Sequence, residues 1–296
     1  MNLIGIDIGG TKILIILTDE TGKIKNRVEL PTPKGSPALV LDKIVQQLKL
    51  CEKFKSIGVG IAGDIDSKNG IVRHSPNLHK WTNVHLKKYF EVRTNVRTVV
   101  DNDANCAAVG SYILDGKKKY KNFITITLGT GIGGGFITNG ELYRGSTGSA
   151  GEAGHITINQ NGPRCSCGNY GCLESYIGTK GIIRIAIKQG LKNKNLTPAV
   201  IAELARNGNK KAVLVYQKTA EYLAVGTGNL INIFNPDMIT FSGGVSANWD
   251  LIKKPFFTEL KKRVFTASLK HVKIIKSKHA KNLGAIGAAL LSKKSD

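Results

Sequence analysis

Long apolar runs are missing from this chain of 296 residues. The longest, ILIIL at residues 13–17, has the length of a strand, whereas a membrane-spanning helix needs about 18 or more apolar residues. The N-terminus begins directly with a strand pattern and lacks the basic and then apolar segment of a secretory leader. We therefore expect a cytoplasmic protein with no membrane partner, a setting in which structural disulfides are rare.

Acidic residues are scarce: the chain has 21 Asp and Glu residues but 43 Lys and Arg residues, which gives a formal net charge of +22. Such a charge is compatible with a polyanionic partner, either nucleic acid or polyphosphate. However, the lysines are spread along the chain, and no basic run is interleaved with aromatic residues. Nucleic-acid footprints are usually localised. We interpret the charge as that of a lysine-rich surface and expect no nucleic-acid partner.

A Walker A sequence is also absent, and no glycine turn is followed by a Rossmann-type helix. Instead, a strand, a glycine turn and a second strand occur at residues 3–17, and the same arrangement returns at residues 122–143. Helical spacing is found at residues 37–53, 104–114 and 209–234, and further strands are predicted at residues 24–30, 56–63 and 96–101. We predict two α/β domains, residues 1–116 and 117–282, with a C-terminal helix at about 283–296 that packs back on the first.

The two glycine turns expose backbone N–H groups without Cβ atoms nearby, an arrangement suited to phosphate oxygens. A glycine-rich hairpin without a ligand explains either turn alone equally well. Two such turns, one opening each predicted domain, favour a phosphate chain held by both. The candidate residues are Gly9, Gly10, Thr11 and Lys12 in the first turn and Thr130, Gly131, Gly133 and Gly134 in the second.

The segment DNDAN, residues 101–105, lies where a predicted strand ends and a predicted helix begins. Asp103 at this position is equally suited to two roles. It could be the N-cap of the helix, or a base that accepts a hydroxyl proton during phosphoryl transfer.

Cysteine is scarce as well, but three of the five cysteines lie in CSCGNYGC, residues 165–172. Cys165, Cys167 and Cys172 with His155 form a Cys₃His set that suits tetrahedral zinc. A disulfide among them would leave an odd thiol, and a redox pair is normally C-x-x-C, which is absent. Because all four ligands would come from the protein, we predict a structural Zn²⁺.

Taken in order, the motifs of the chain resemble those of the ROK family of sugar kinases and repressors, within the actin-like ATPase superfamily. The resemblance covers nearly the whole chain, and NLHKW at residues 77–81 is similar to a segment of the family's glucokinases. It implies two actin-like (ribonuclease H-like) α/β domains with the active site in the cleft between them. The matching motifs are DIGGTK, GVGIAGDID, DNDANCAA, LGTGIGGG, GEAGH, CSCGNYGCLE and FSGGVS.

The resemblance also implies roles for single residues. Asp103 would be the catalytic base, and Asp7 would place Mg²⁺ through water. Gly243 and Gly244 of FSGGVS would lie against the adenosine of ATP. The sugar would be bound by Gly63, Asn102, Glu152, His155 and Glu174.

The activity implied is ATP-dependent phosphorylation of a hexose at its 6-hydroxyl, with glucose the first candidate. N-acetylmannosamine, N-acetylglucosamine and fructose are the alternative substrates, and polyphosphate stays open as a donor. A sugar-sensing repressor is disfavoured, because the first phosphate strand starts at Leu3 and leaves no room for a DNA-binding domain. We further expect a homo-oligomer, either a dimer or a tetramer.

Overall fold

The computed structural model describes residues 1–78, 80–192 and 195–293. Its strands are β1 Asn2–Ile8, β2 Lys12–Asp19, β3 Ile24–Pro31, β4 Ser56–Ile61, β5 Asp64–Asp66, β6 Ile71–His74, β7 Thr82–His85, β8 Arg97–Asn102, β9 Phe123–Leu128, β10 Ile132–Thr138, β11 Glu141–Tyr143, β12 Met238–Ser242 and β13 Lys273–Lys276. Its α-helices are α1 Pro37–Leu48, α2 Leu86–Thr94, α3 Asp103–Leu114, α4 Leu173–Ile177, α5 Thr179–Lys188, α6 Pro198–Arg206, α7 Lys210–Phe234, α8 Trp249–Leu260, α9 Thr266–His271 and α10 Leu283–Ser292.

The first five-stranded sheet has the order β3-β2-β1-β4-β8. Strands β1, β4 and β8 are parallel, and β2 and β3 continue the sheet in antiparallel fashion. Every residue of β4 is buried, as in a central strand covered on both faces, whereas β3 at the edge exposes most of its residues. The carboxyl ends of β1, β4 and β8 therefore meet at one edge of the sheet, the edge where α/β folds bind ligands.

Helix α1 covers part of this sheet. It begins after Ser36, whose hydroxyl accepts a hydrogen bond from the N–H of Leu39, and Pro37 occupies its first turn. Its apolar residues Val40, Leu41 and Ile44 are buried in the same core as β1 and β4. The helix ends at Leu48, earlier than the predicted residue 53, and the chain then turns, because the N–H groups of Leu50 and Cys51 donate three residues back, to the carbonyls of Gln47 and Leu48.

The second five-stranded sheet has the order β11-β10-β9-β12-β13, which repeats the strand order of the first sheet. Strands β9, β12 and β13 are parallel. The predicted strands on both sides of the second glycine turn are confirmed as β9 and β10, and the predicted long helix as α7. The α/β class predicted from the sequence is thus confirmed.

A small antiparallel sheet, β5-β6-β7, was not predicted from the sequence. Its strands have only three or four residues each, too few to give a clear alternation of apolar and polar positions. Among the described residues, no helix combines the length and the apolar character needed to cross a membrane.

Two compact units make up the chain. The first contains residues 1–119, 135–151 and the described residues from 281 onward, and the second contains residues 120–134 and 152–280. The first unit therefore includes residues 135–151, which lie beyond the predicted boundary at 116. Strand β11 and the loop after it belong to this segment, and Gly135 packs directly on Ala104 and Ala108 of α3.

Helix α10 packs in the first unit against α3, β1 and β4. Its close approach to the sheet depends on two strand glycines. A Cβ atom on Gly5 would overlap the carbonyl of Ala285, and one on Gly58 would overlap the carbonyl of Ala288. The C-terminal helix is thus part of the core that supports the glycine turn after β1.

Candidate functional site

In the first unit, three predicted site residues lie together where β8 ends and α3 begins. Asn102 is the N-cap of α3: its Oδ1 accepts the N–H of Ala104 at 2.8 Å, and its Nδ2 donates to the carbonyl of Gly63 at 3.1 Å. Asp103 is the first residue of the helix, and its Oδ1 accepts the same Ala104 N–H at 2.9 Å. The capping role considered for Asp103 therefore belongs chiefly to Asn102, which leaves Asp103 half-buried at the positive end of the helix.

Gly63 follows β4 and has a φ of +137°, a conformation that residues with a side chain rarely adopt. A Cβ atom at this position would also overlap the carbonyl of His74, the last residue of β6. Both constraints require glycine here. They bring the Gly63 carbonyl to the side chain of Asn102.

Asp7 lies near the end of β1, close to Asp103. Burial and the negative charge of Asp103 raise the pKa of Asp7 to about 7, against the opposing effect of Lys12. The Asp7 carboxylate touches the start of α10, since a Cβ atom on Gly284 would come within 2.7 Å of its Oδ2. Two carboxyl groups that repel each other at the end of parallel strands form a place where a cation is stabilised.

The first glycine turn closes with a hydrogen bond from the Gly9 N–H to the Lys12 carbonyl, at 3.0 Å. That N–H is therefore used within the turn. Gly10 is exposed and approaches the backbone of Asn77, and the carbonyl of Thr11 accepts the N–H of Thr32. In the NLHKW segment, His79 lies outside the described residues.

The side chain of Lys12 forms an ion pair with Glu29, with Nζ 3.5 Å from Oε2. Both side chains are exposed, Lys12 by 57% and Glu29 by 39%. Exposed pairs of this kind contribute little free energy. Lys12 can therefore leave Glu29 for a phosphate at small cost.

The second glycine turn closes with a hydrogen bond from the Gly129 N–H to the Gly131 carbonyl, also at 3.0 Å. This bond spans one residue fewer than the bond that closes the first turn. Two further N–H groups have acceptors in the same unit. The N–H of Gly133 donates to the hydroxyl of Thr127 at 3.1 Å, and the N–H of Ile132 donates to Oε2 of Glu174 at 3.0 Å. Thr130 at the tip is exposed.

Gly243 and Gly244 lie beside this turn, directly after β12. Gly243 has a φ of +85°, and a Cβ atom on it would be 2.5 Å from the carbonyl of Leu128, the last residue of β9. Its own carbonyl accepts the hydroxyl of Ser246 at 2.7 Å. A Cβ atom on Gly244 would have no neighbour within 4 Å, so that this glycine borders open space. The two glycines and the second turn thus share one end of the second sheet.

The four predicted metal ligands come together in the second unit. One donor atom from each of His155, Cys165, Cys167 and Cys172 lies within 4.8 Å of all the others. Cys165 Sγ is 3.6 Å from His155 Nδ1, and Cys167 Sγ is 3.7 Å from Cys172 Sγ. Zn–S bonds of about 2.3 Å and Zn–N bonds of about 2.0 Å at tetrahedral angles place ligand atoms about 3.6–3.8 Å apart. The cluster therefore fits a tetrahedral zinc ion.

The thiols of this cluster are free and differ in environment. Hydrogen bonding by the N–H of Asn169 lowers the pKa of Cys167, whereas burial raises the pKa of Cys172. Without a cation, the buried thiol resists ionisation, and a bound metal ion would supply the charge that stabilises it. Since all four donors are protein side chains, the centre has the composition of a structural site.

The predicted sugar-binding residues of the second unit border this cluster. Nε2 of His155, the ring nitrogen that faces away from Cys165, is 3.9 Å from Oε2 of the exposed Glu152. Glu174 contacts a different pair of groups: Oε1 accepts the hydroxyl of Ser166 at 3.0 Å, and Oε2 accepts the N–H of Ile132. Glu174 thus joins the cysteine loop to the second glycine turn.

Three residues with clear structural roles were not predicted: Asp101, Arg144 and Thr127. Asp101, at the start of DNDAN, is buried and is held by the guanidinium of Arg144 at 2.7–2.8 Å. The hydroxyl of Thr127 supports the second turn. Asp101 lies in the same DNDAN motif as Asp103, at the end of an apolar strand, and a buried carboxylate there needs hydrogen-bond donors, which was a usable signal. Arg144 lies in no motif that could have identified it.

These features were compared with known proteins. The family model of the ROK family matches residues 3–295. The glucokinase of Streptomyces coelicolor is 33% identical over 317 residues, which cover 99% of this chain and 98% of that protein. A xylose repressor of Caldicellulosiruptor bescii is 31% identical over 297 residues, which cover 94% of this chain and 74% of the repressor.

Among solved structures, the chain is similar to a ROK family glucokinase from Streptomyces griseus in complex with glucose and AMPPNP. The TM-score is 0.87 at 31% identity, and the match covers all of both chains. The predicted actin-like α/β fold is confirmed by this similarity. With a family model matched over nearly its whole length, the chain belongs to the ROK family.

Proposed function

We propose that this ATP-dependent sugar kinase transfers the γ-phosphoryl group of ATP to the 6-hydroxyl of glucose. The oxygen of the 6-hydroxyl attacks the γ-phosphorus while the bond from that phosphorus to the ADP oxygen breaks. The proton of the hydroxyl passes to Asp103. The products are glucose 6-phosphate and ADP, and the proton is later released to solvent.

The observation that carries this proposal is the arrangement around the start of α3. Asn102 is held by the Gly63 carbonyl and by the helix it caps, so that its position and that of Asp103 are fixed before a substrate arrives. A base must lie within hydrogen-bond reach of the proton that it accepts, and a fixed position favours this. Asp103 is half-buried rather than fully buried, as a base that a substrate hydroxyl must reach requires.

We assign further sugar contacts to Glu152, His155 and Glu174. Nδ1 of His155 faces the cysteine cluster, and Nε2 is then an N–H donor, because metal binding at one ring nitrogen leaves the proton on the other. This N–H and the carboxylate of Glu152, 3.9 Å apart, are suited to bind one sugar hydroxyl as donor and acceptor. Glu174 would exchange one of its present partners for the sugar.

For the nucleotide, we propose that the phosphates contact the two glycine turns and Lys12, and that the adenosine lies against Gly243 and Gly244. Mg²⁺ would be held near Asp7 through water and would neutralise phosphate charge. The zinc ion would hold the loop of residues 165–172, and with it His155, in place.

A panel of sugars tests the substrate assignment. Purified protein is assayed with ATP and glucose, mannose, fructose, N-acetylglucosamine and N-acetylmannosamine, and the phosphorylated carbon is identified by ³¹P and ¹H NMR. We expect the highest kcat/KM for glucose and a product phosphorylated at carbon 6. A higher kcat/KM for another sugar would overturn the assignment of glucose but keep the kinase, whereas binding without turnover of any sugar would favour a sensor of the repressor type.

Replacement of the base tests the mechanism. We expect Asp103→Asn to lower kcat by about 10²–10⁴-fold, the contribution typical of general base catalysis, because the hydroxyl proton loses its acceptor. Glucose affinity measured by calorimetry should stay within a few-fold of the wild-type value. An Asn variant that kept a tenth of the wild-type kcat would show that Asp103 is not the base.

A further inference from the structure

A buried carboxylate lies directly beneath the proposed base. Asp101 is 2% exposed and is the residue before Asn102 on β8. Its Oδ2 accepts hydrogen bonds from Nε of Arg144 at 2.8 Å and from Nη2 at 2.7 Å. Its Oδ1 accepts the N–H of Asn102 at 2.8 Å and Nδ2 of Asn105 at 2.9 Å. Four donors therefore surround one carboxylate, which fixes its orientation.

Through these bonds, Asp101 acts on the backbone that carries the active residues. The N–H of Asn102 is one of its donors, and Asn105 binds it from the first turn of α3. On the other side, Asp101 is paired with Gly60 in the ladder between β4 and β8. The direction in which the chain leaves β8 and enters α3 is thus set at Asp101, and Asp103 follows two residues later.

Arg144 holds this carboxylate from a different segment. It comes directly after β11, and its own carbonyl accepts the N–H of Ala150 at 3.0 Å. This bond closes the loop of residues 144–150, which leads without a gap into GEAGH at residues 151–155. The guanidinium of Arg144 therefore contacts DNDAN, while its backbone shapes the loop that precedes the residues assigned to sugar binding.

We propose that Arg144 is a positioning residue for phosphoryl transfer, which acts through Asp101 on Asn102 and Asp103. This inference rests on the proposed function for its catalytic readout. The pair is asymmetric: Asp101 is 2% exposed and Arg144 is 33% exposed. A buried charge that loses its partner is strongly destabilised, so the geometry of the carboxylate depends on the arginine rather than the reverse.

The planar fork of Arg144 makes a conservative test possible. Lysine keeps the positive charge but cannot donate two parallel hydrogen bonds to one oxygen in a fixed plane. Arg144→Lys should therefore keep the fold and lose the orientation. Arg263→Lys is the matched control, because Arg263 also binds one carboxylate oxygen, of Glu259, through Nε and Nη2, but does so at the surface, in the turn that follows α8.

We expect Arg144→Lys to lower kcat by about 10- to 100-fold, the cost of misplacing a reacting group by about 1 Å. The KM for glucose and the KM for ATP should stay within about threefold, since the substrate contacts themselves are kept. A role in stability alone would lower only the fraction of folded protein, which lowers the apparent kcat at constant KM. The kcat is therefore expressed per folded enzyme, and a role in stability alone would leave that value unchanged. Arg263→Lys should leave kcat unchanged.

Hydrogen exchange followed by mass spectrometry gives a second readout that does not depend on activity. Peptides that cover residues 97–108 should exchange faster in Arg144→Lys than in the wild type or in Arg263→Lys. If wild-type protein phosphorylates no sugar, the proposed function fails, while the exchange result still tests whether Arg144 orders this segment. If Arg144→Lys does not fold, Asp101→Asn with Arg144→Met removes both charges and is measured in the same way.

Two results would overturn the proposal. The first is a kcat of Arg144→Lys within twofold of the wild-type value in an active enzyme. The second is unchanged exchange over residues 97–108, which would show that Arg144 does not order this segment.

Discussion

The two glycine turns have the same burial pattern and the same kind of closing hydrogen bond, but they carry different side chains. Residues 1–10 and residues 121–130 have the same burial pattern, position by position, from the exposed first residue through the apolar strand to the exposed tip. Each turn then closes with a hydrogen bond from the first glycine, Gly9 or Gly129. Among the positions at which the two sequences differ, the seventh brings a change of charge: it is Asp7 in one turn and Thr127 in the other.

We expect this difference in charge to give the two turns different functions. Asp7 brings a carboxyl group whose pKa is raised by burial and by Asp103, and a cation beside the two carboxyl groups would favour the ionised form of both. Thr127 brings a neutral hydroxyl that accepts the N–H of Gly133 and orders the backbone. The first turn is thus suited to hold a metal ion with its phosphates. The second is suited to present backbone groups alone.

Substitution of Asp7 and of Thr127 should show the largest difference between the two turns. Asp7→Asn removes the charge that we assign to Mg²⁺, and we expect kcat to fall by about 10²–10³-fold, the cost of losing one electrostatic stabiliser of the transition state. Thr127→Val removes one neutral acceptor, worth about 1 kcal/mol or roughly fivefold. Steady-state assays over a range of Mg²⁺ concentrations measure both. Similar losses in the two variants would contradict the division of roles.

Much of this shared arrangement could be predicted from the sequence because it depends on local patterns. The alternation of apolar residues and the positions of the glycines predicted both strand–turn–strand units, which are β1 with β2 and β9 with β10. The spacing of three cysteines and His155 within 18 residues predicted a set of metal ligands, and the structure brings these four side chains together. In both cases the residues that act together are neighbours along the chain, so that their spacing carries the information.

The contacts that join distant segments could not be predicted. Arg144 and Asp101 are 43 positions apart, and Ile132 and Glu174 are 42 apart. Each contact depends on where two elements lie after folding, and many arginines or glutamates in a sequence have no such partner. The role of Glu174 in the second turn was missed for this reason, although the residue itself was selected as a sugar ligand.

Removal of the metal ion should affect the second turn but not the first, because the cysteine loop is connected to the second turn through Ser166 and Glu174. We expect purified protein to contain about one zinc per chain, as one closed site requires. After removal by a chelator, amide exchange should increase over residues 129–135 and 155–175 but not over residues 8–13. Reloading with zinc should reverse the change. An equal increase at both turns would point to general unfolding.

Glu174 tests the same connection by mutation. Glu174→Ala leaves the buried N–H of Ile132 without its acceptor, a loss of about 1–3 kcal/mol. We expect the KM for ATP to rise by about tenfold, in addition to any loss of glucose affinity. Ser166→Ala removes only the hydroxyl bond and should change both constants by less than about fivefold. A variant of Glu174 that binds ATP normally would show that the second turn does not need this support.

The pH dependence of stability gives the most specific test, because it depends on the single carboxyl group of Asp7. The pKa of Asp7 is raised from 3.8 to about 7 in the folded protein. Between about pH 4 and pH 7 the folded state therefore holds a proton at Asp7 that the unfolded state has lost. Stability must then decrease as the pH rises through this window, and no further change comes from Asp7 above it.

Asp7→Asn removes this titration. From pH 4.5 to pH 8, the difference in Tm between this variant and the wild type should therefore shift in favour of the variant by about 5–15 °C, at about 2–4 °C for each kcal/mol. Thr127→Val is the control, since threonine does not titrate: its Tm should differ from the wild-type Tm by the same amount at every pH. Scanning fluorimetry of the three proteins without nucleotide or Mg²⁺ measures this. A constant Tm difference for Asp7→Asn would mean that the Asp7 carboxyl is not desolvated, and the two turns would then differ in sequence alone.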